Sequence, residues 1–385
     1  MNIYMMTKIG FVVAIPGTAS AFLYNHFLQL TSNYEVHLMA NFPNEDAKKM
    51  FTDIGVKCHT FPIERKISVI KDLKALNALC RIFKQEKFAS VHSVTPKAGL
   101  LTALAGKIAK VPHRVHIYTG QVWATRIGIM RTVLKFMDKI PAAFNTKLLV
   151  DGYSQRRFLI NEGVLKENNS AVLAKGSICG VKLDNFKISS EVRSVEREKL
   201  GIKPDDVVYI FLGRLNHDKG IGELYEAFDR LVVECPKAKL LFYGSDEEGY
   251  EEKVLAYSNI KRDVNFFYPG RTNQPYDALQ AGDVFVLPTW REGFGSSVIE
   301  AQALGLPVIT SDAYGVVDAS IPEVTGLRCG VNDPEGLYRC MKQYYDNPEM
   351  RKEHGKNGRK RVEEDFSNDL VSAAWLDFYK EMLGV

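Results

Sequence analysis

The segment Asp283–Ser311, DVFVLPTWREGFGSSVIEAQALGLPVITS, decides the fold of its half of the chain. Its pattern predicts a buried strand over Asp283–Pro288, a loop, a helix over about Ser296–Leu304 that stops at Gly305, and a second strand over Pro307–Ser311. In a strand–loop–helix unit, the unpaired N–H groups at the start of the helix face outward toward a ligand. The segment therefore predicts an anion-binding site in an α/β domain.

Two glutamates flank this predicted anion site. Glu292 lies in the loop, and Glu300 lies one turn into the helix on the same face as Ser296. Gly293 and Gly295 allow the backbone to approach a ligand closely. A phosphorylated sugar carrier suits this arrangement, because the N–H groups can bind phosphate while the carboxylates accept hydrogen bonds from hydroxyls. The alternative is a solvated acidic loop beside an ordinary helix.

The two glutamates, with seven residues between them, resemble the E-x7-E motif of retaining glycosyltransferases of family 4. The strings PTWREGFG and EAQALGLPVITS and the downstream Thr325-Gly326-Leu327 fit the same signature. The resemblance implies an α/β, GT-B fold: two Rossmann-like parallel-sheet domains face a cleft, and a C-terminal helix crosses back to the first domain. It also implies that Glu292 holds hydroxyls of the donor sugar. The remaining donor-binding residues that it implies in this segment are Gly293, Phe294, Gly295, Ser296, Ser297 and Glu300, the last for the ribose hydroxyls.

A second motif follows the predicted buried strand Val207–Leu212 and reads GRLNHDKG. Arg214 offers a planar fork of donors and Lys219 a point charge, which together suit a diphosphate. Alone they would be read as solvated charges. The string resembles the family's G-R-L-x-x-x-K-G motif, which implies that Gly213 approaches the donor and that Arg214, Lys219 and Glu292 are the catalytic residues. No D-x-D pair occurs, so we expect no metal and no other cofactor, the helix dipole and the two cations taking the metal's place.

Two further loops are candidates for donor binding. Arg271 follows the predicted strand Val264–Tyr268, where the resemblance implies contact with the nucleotide base. Gly17 lies in a predicted turn, Pro16–Ser20, before a predicted helix over Ala21–Leu30. The resemblance implies that Gly17 approaches the donor diphosphate, and a simple tight turn is the alternative. The loop is not G-x-G-x-x-G, so a dinucleotide fingerprint is absent.

Length and composition indicate a two-domain globular protein. The chain has 385 residues, of which 46% are hydrophobic and 25% charged. The six cysteines are scattered without a C-x-x-C pair, which favours free thiols in a reducing cytoplasm over a zinc site. We find no apolar run that could span a bilayer and no signal-peptide cleavage site. We place an acceptor-binding domain at 1–177 with the helix 368–385, and a nucleotide-sugar domain at 178–367.

The first 177 residues carry an excess of basic residues and the rest an excess of acidic ones, so we expect the first domain to meet an anionic partner. Within it, Gln121–Lys147 interleaves Trp123 and aliphatic residues with Arg126, Arg131 and Lys135. This composition predicts a basic amphipathic helix at an anionic membrane surface. An ordinary surface helix is the alternative. Nucleic acid is not expected, because no stacking motif or DNA-reading module accompanies the charge.

The first domain also carries candidate acceptor residues. The string HSVTPKAG, beginning at His92, resembles a loop of the family, and its Lys97 could meet an acceptor phosphate or be solvated at a helix start. His92 itself is more often a core or capping histidine than a catalytic one. Thr119 stands where many family members carry a histidine, so we assign no catalytic histidine, and we keep Thr119 and Gln121 as acceptor-side residues. His116 is predicted to be buried.

Together, these observations predict a retaining glycosyltransferase on the inner face of the plasma membrane. The expected donor is a UDP-sugar, with an N-acetylhexosamine as the candidate sugar, and the expected acceptor is a polyprenyl-diphosphate-linked sugar in O-antigen, capsule or glycan assembly. Two alternatives stay open: a transferase with a soluble acceptor, and a non-catalytic sugar-nucleotide-binding module. An epimerase of the same fold is disfavoured, because both motifs are present.

Overall fold

The computed structural model describes residues 6–64 and 68–384. The chain divides into two compact units. The first, called the N-unit, contains the residues up to Gly180 together with those from Asn368 onward. The second, called the C-unit, spans Val181–Ser367. The division is discontinuous in sequence, because the last helix belongs to the unit formed by the first half of the chain.

The N-unit is a parallel sheet with helices between successive strands. Its strands are β1 (Lys8–Val12), β2 (Glu35–Ala40), β3 (Lys57–Thr60), β4 (Ser90–Val94), β5 (His113–Tyr118), β6 (Lys147–Val150) and β7 (Ser170–Ala171). Its helices up to Gly180 are α1 (Pro16–Phe22), α2 (Tyr24–Leu30), α3 (Asp46–Thr52), α4 (Val69–Glu86), α5 (Pro96–Ile108), α6 (Gly128–Phe144) and α7 (Tyr153–Asn161). The strand order is β3-β2-β1-β4-β5-β6-β7.

The C-unit repeats this architecture. Its strands are β8 (Val207–Leu212), β9 (Ala238–Tyr243), β10 (Phe266–Gly270), β11 (Val284–Leu287), β12 (Val308–Ser311) and β13 (Gly326–Cys329). Its helices are α8 (Ser190–Glu198), α9 (Ile221–Glu234), α10 (Tyr250–Lys253), α11 (Pro275–Ala278), α12 (Ser296–Ala303), α13 (Val316–Ala319), α14 (Pro334–Asp346) and α15 (Pro348–Asp365). The strand order is β10-β9-β8-β11-β12-β13. The last helix, α16 (Asn368–Leu383), returns to the N-unit.

The strand order fixes where ligands can bind. Consecutive strands run outward from β1 on one side and from β4 on the other, and β8 and β11 play the same parts in the C-unit. At such a point, the loops after the two central strands diverge and leave a crevice at the carboxyl edge of the sheet. In the C-unit these are the loops after β8 and β11, which carry the two motifs found in the sequence.

Helix α16 is held by a buried aromatic and histidine cluster of the N-unit. The indole of Trp375 stacks on the rings of His26 and His92, with ring centroids 4.4 Å and 4.8 Å apart. His26 Nδ1 lies 2.8 Å from Ser372 Oγ, and His92 Nδ1 lies 2.9 Å from Tyr379 Oη. Burial lowers the pKa of His26 to about 4, so this imidazole is neutral near pH 7. His92 is fully buried in the same cluster and is a core histidine.

Two predicted elements were wrong in detail. The predicted turn Pro16–Ser20 is the start of α1, because proline is pre-organised for the first helical position. Gly17 therefore lies in the first turn of a helix. The predicted basic helix from Gln121 begins only at Gly128, after a short 3-10 helix over Val122–Thr125.

We predict that Trp375→Ala lowers the free energy of unfolding by about 3–5 kcal/mol, the usual cost of deleting a buried aromatic side chain. Urea unfolding followed by far-UV circular dichroism measures the loss. Leu370→Ala is the control, because Leu370 is on the same helix and is 46% exposed. Equal effects of the two substitutions would show that Trp375 does not anchor α16.

Candidate functional site

Asp218 joins the two motif loops at the carboxyl edge of the C-unit sheet. Its carboxylate forms an ion pair with Arg291, with Oδ2 2.6 Å from Nη2. Its backbone carbonyl accepts hydrogen bonds from Thr289 Oγ1 at 2.7 Å and from the N–H of Trp290 at 2.8 Å. We call these four residues the loop clamp. None of them was predicted as a site residue, since they stand inside the two motifs but only the folded structure pairs them.

The loop clamp places Lys219 next to Glu292. The Lys219 ammonium and the Glu292 carboxylate form an ion pair, and the two side chains are only 17% and 16% exposed. The sequence assigned these residues separately to a diphosphate and to a sugar, and the structure brings them into direct contact. Each charge neutralises the other within the chain, so a ligand that carries both phosphate and hydroxyl groups could take over both partners.

Two glycines hold the backbone of this site at distances that no other residue allows. Gly220 has φ +71°, and a Cβ there would lie 2.0 Å from the carbonyl oxygen of Pro288. Gly315 has φ +85°, and a Cβ there would lie 2.3 Å from the carbonyl oxygen of Glu292. Gly315 therefore supports Glu292 from the loop after β12, a role that its sequence context did not reveal.

The start of α12 lies directly after Glu292 and Gly293. Gly295 caps the helix with φ +95°, a left-handed conformation that favours glycine. The Phe294 side chain is buried against Phe366, with ring centroids 5.3 Å apart, so Phe294 can offer a ligand only its backbone. Ser296 and Ser297 form the first turn of the helix and are half-buried. The helix therefore begins where the sequence predicted, and the anion site at its start stays a prediction.

Glu300 is a half-buried carboxyl one turn into α12. Desolvation raises the pKa of Glu300 to about 7. Within the described part of the chain, its side chain forms no hydrogen bond or ion pair. A carboxyl group in this condition is suited to accept hydrogen bonds from the hydroxyls of a ligand.

The other predicted donor residues lie on neighbouring loops of the same sheet edge. Arg214 is 57% exposed and forms an ion pair with Glu247, 3.0 Å between Nη1 and Oε2, so the expected pairing of Arg214 and Lys219 around one anion is not preformed. Gly213 donates its N–H to the Tyr243 carbonyl at 3.0 Å. Arg271 is exposed directly after β10.

The predicted acceptor residues belong to the N-unit. Lys97 forms an ion pair with Asp72 at 2.6 Å, so it is not simply solvated. Thr119 is half-buried at the end of β5. Gln121 is buried and accepts a hydrogen bond from Gln155 at 3.3 Å, a placement that does not favour contact with an acceptor.

The loop before Lys97 contains a residue with an unusual backbone conformation that the sequence did not indicate. Thr95, between β4 and α5, has φ +80°, which is strained for a residue with a branched side chain.

His116 is buried as predicted, and burial lowers its pKa to about 4. Around Gly17 the space is open, since a Cβ there would meet no atom within 4 Å among the described residues.

Two of the charges predicted to face a membrane are paired within the N-unit. Arg131 and Lys135 both form ion pairs with Glu162, at 2.7 Å and 2.6 Å, and both lie over the ring of the buried Trp123. Arg126 is exposed. The large side chains exposed at the start of α6 are apolar: Ile127, Ile129, Met130 and Val133. In residues 6–64 and 68–384 we find no helix with the length and apolarity needed to cross a membrane.

Comparison with known proteins identifies the family. Residues 192–361 match the family model of glycosyl transferases group 1, and residues 12–140 match that of glycosyl transferase 4-like proteins. The capsular polysaccharide biosynthesis glycosyltransferase CapM of Staphylococcus aureus is 32% identical, over 88% of each chain. The chain belongs to the group 1 glycosyltransferases. This glycosyltransferase is also 27% identical, over 77% of each chain, to the UDP-Gal:alpha-D-GlcNAc-diphosphoundecaprenol alpha-1,3-galactosyltransferase of Escherichia coli.

A solved structure confirms the fold of this glycosyltransferase. The Anabaena protein Alr3699/HepE, crystallised with UDP and glucose, superposes with a TM-score of 0.80 at 16% identity, covering 97% of this chain and 99% of that one. The two parallel-sheet Rossmann-like units and the GT-B fold predicted from the sequence are therefore confirmed.

The raised pKa of Glu300 predicts a pH-dependent stability. The folded-state pKa of about 7 exceeds the ordinary value of 4.5. The contribution of the protonated Glu300 carboxyl to the free energy of unfolding is therefore fully present below about pH 4.5 and is lost as the pH rises through 7. Glu300→Gln removes this loss, so the variant should be more stable than the wild type at pH 8 by on the order of 2–3 kcal/mol, and equal at pH 4.

Urea unfolding at both pH values tests this expectation, with the exposed Glu252→Gln as control. A stability difference between Glu300→Gln and the wild type that does not change between pH 4 and pH 8 would contradict the raised pKa.

Proposed function

We propose that this glycosyltransferase is a retaining enzyme that moves a sugar from a UDP-sugar to a polyprenyl-diphosphate-linked sugar. The observation that carries the proposal is the half-buried Lys219–Glu292 ion pair beside the start of α12. The ion pair supplies a cation and a carboxylate, and the start of α12 supplies backbone N–H groups at the same sheet edge. A sugar diphosphate needs these three groups.

Donor binding exchanges the partners of this ion pair. The diphosphate takes the Lys219 ammonium and the N–H groups of Ser296 and Ser297, where the helix dipole also favours negative charge. Glu292 is then free to accept hydrogen bonds from the donor sugar. Preorganised cations in a site with little water stabilise a leaving diphosphate, and losing one such contact costs on the order of 3 kcal/mol.

Arg214 and Glu300 complete the proposed donor site. The Arg214–Glu247 ion pair is exposed, and exposed pairs contribute about 0–1 kcal/mol, so Arg214 can turn toward a phosphate at little cost. Glu300 accepts hydrogen bonds from the two ribose hydroxyls in its ionised form. Gly213, Gly17 and Arg271 stay predictions for the diphosphate and the base.

The proposed reaction is a same-face displacement. The acceptor hydroxyl oxygen bonds to the anomeric carbon on the face from which UDP departs, and the bond from that carbon to the β-phosphate oxygen breaks. The electron pair leaves with UDP, whose phosphate oxygen takes the acceptor proton. Lys219 and Arg214 stabilise the charge that develops on this diphosphate. The configuration of the sugar is retained.

The lipid-linked acceptor is supported by the printed activity of the Escherichia coli relative, which acts on a sugar carried by diphosphoundecaprenol. The N-unit also contains a cavity of about 330 Å³ between α4, α5 and α6, lined by the apolar Leu100, Leu101, Val122, Leu134 and Met137 and by the charged Asp72, Lys97 and Asp138. Such a cavity offers room for part of an isoprenoid chain. An N-acetylhexosamine donor stays a prediction, and a soluble acceptor is the alternative.

A membrane-facing surface is supported by exposed aliphatic side chains rather than by the basic charges. Ile127 and Ile129 are 89% and 84% exposed at the start of α6, and Val69 and Ile70 are similarly exposed at the start of α4. Both helices pack on α5. Clustered exposed apolar residues mark interaction surfaces, and here the exposed Arg126 adds attraction for anionic lipid. We place the enzyme peripherally on the inner face of the plasma membrane.

We expect the double substitution Ile127→Asn, Ile129→Asn to reduce co-flotation with vesicles of phosphatidylethanolamine and phosphatidylglycerol at least tenfold. The reason is the loss of apolar area that inserts into the interface. Ile188→Asn, which alters an exposed isoleucine of the C-unit, is the control. If the wild type itself does not float, the soluble-acceptor alternative is favoured.

Glu292→Gln should reduce sugar transfer by 100-fold or more without weakening UDP binding, because the carboxylate binds the sugar and its removal frees Lys219 from a competing partner. Lys219→Ala should weaken both UDP binding and transfer. Calorimetry with UDP and an assay of transfer to a short polyprenyl-diphosphate sugar measure these effects.

The exposed Glu252→Gln and Lys187→Ala are the matched controls for these two variants. Unchanged turnover in Glu292→Gln would disprove its role. Tight UDP binding by the wild type, without transfer or donor hydrolysis, would instead favour the non-catalytic module.

Because Lys219, Arg214 and the α12 dipole supply the positive charge, transfer should continue at full rate in EDTA. The assay compares initial rates in EDTA and in Mg²⁺. A strict requirement for Mg²⁺ would contradict this assignment of the diphosphate site.

A further inference from the structure

A cluster of two histidines and a glutamate lies in the N-unit, where His37 is the third residue of β2, His59 the third residue of β3 and Glu86 the last residue of α4. His37 Nδ1 and His59 Nε2 are 2.8 Å apart, and one ligand atom from each of His37, His59 and Glu86 lies within 4.8 Å of the other two. His37 is buried, and the other two residues are half-buried. All three residues belong to the N-unit, so this cluster is separate from the motif loops of the C-unit.

The hydrogen bonds assign the tautomer of His37. Its Nε2 lies 2.8 Å from Glu35 Oε1, and the Glu35 carboxylate also forms ion pairs with Lys8 and Lys57. The Glu35 carboxylate is therefore ionised, and His37 Nε2 carries the proton that it donates. The lone pair of His37 consequently lies on Nδ1 and points toward His59.

This arrangement has the form of a metal site with an outer carboxylate. Metal-binding histidines usually donate their second ring N–H to a carboxylate, which fixes the ring and makes the ligand nitrogen more basic. In the chain without metal, His59 Nε2–H donates to His37 Nδ1.

Two lysines share the carboxylates around the cluster. Lys8 lies 2.8 Å from Glu86 and 3.5 Å from Glu35, and Lys57 lies 2.9 Å from Glu35. The charges of these two lysines and two glutamates balance. A cation that binds Glu86 must therefore displace Lys8, whose side chain is one-third exposed and can move into water.

We propose that His37, His59 and Glu86 bind one Zn²⁺ ion, with Glu35 orienting His37. Two imidazoles and a carboxylate are a ligand set that Zn²⁺ accepts, and water takes the fourth position. Zn–N bonds of about 2.0–2.1 Å in a tetrahedral site place the two nitrogens about 3.4 Å apart, so the rings separate by about half an ångström. The His59 proton moves to its other ring nitrogen. The ion joins β2, β3 and α4, and its binding does not depend on the proposed transferase reaction.

The test is zinc titration of the EDTA-treated, desalted full-length protein against the chromophoric chelator 4-(2-pyridylazo)resorcinol, together with thermal unfolding with and without Zn²⁺. We expect one equivalent of Zn²⁺ bound and a higher midpoint temperature. His59→Gln and Glu86→Gln should each weaken binding at least tenfold and abolish the thermal shift. Glu35→Gln should weaken binding about tenfold through loss of the outer carboxylate.

Lys8→Met should tighten zinc binding several-fold, because Glu86 loses its competing cation. Cys58→Ser is the matched control, since Cys58 neighbours His59 but lies against the core cluster that contains Trp375. Far-UV circular dichroism confirms that each variant is folded. Zinc uptake that survives in both Glu86→Gln and His59→Gln would locate the ion at cysteine thiols and overturn the proposal, as would a wild type that binds no zinc.

Discussion

The loop clamp around Asp218 is the constraint on which the geometry of the proposed donor site depends. It joins the loop after β8 to the loop after β11, through one ion pair and two hydrogen bonds to a single backbone carbonyl. Lys219 follows Asp218 directly, and Glu292 follows Arg291 directly. The clamp therefore fixes the two charged side chains as neighbours before any ligand arrives. Gly220 and Gly315 complete this constraint, because a side chain at either would collide with the backbone of the opposite loop.

Much of this site could be predicted from the sequence because its signals are local. The E-x7-E spacing, the glycines around it and the start of α12 are set by contiguous residues, and the predicted strand–loop–helix order of Asp283–Ser311 agrees with β11, α12 and β12. The clamp could not be predicted, since the pairing of Asp218 with Arg291 joins positions that are 73 residues apart. The pairing of Arg214 with Glu247 escaped prediction for the same reason.

The N-unit shows where composition misleads. The basic residues of Gln121–Lys147 predicted a positively charged face. In the structure Glu162, at the C-terminal end of α7, forms ion pairs with two of them, Arg131 and Lys135. Several aliphatic side chains between these basic residues are exposed to solvent instead. Trp123 was grouped with the surface stripe, yet its indole is buried and donates to Asp138 Oδ2 at 2.7 Å. Burial raises the pKa of Asp138 to about 6, an effect of packing that composition does not contain.

The return of α16 to the N-unit has a consequence for how the chain folds during synthesis. The C-unit is continuous in sequence, so all of its strands have emerged by the time Ser367 leaves the ribosome. The N-unit is synthesised first, but its core lacks Trp375 and Tyr379 until α16 has been synthesised. Domains usually fold in the order of synthesis. In this protein the order of completion is reversed, and the nascent N-unit keeps an unfilled aromatic core while the whole C-unit is translated.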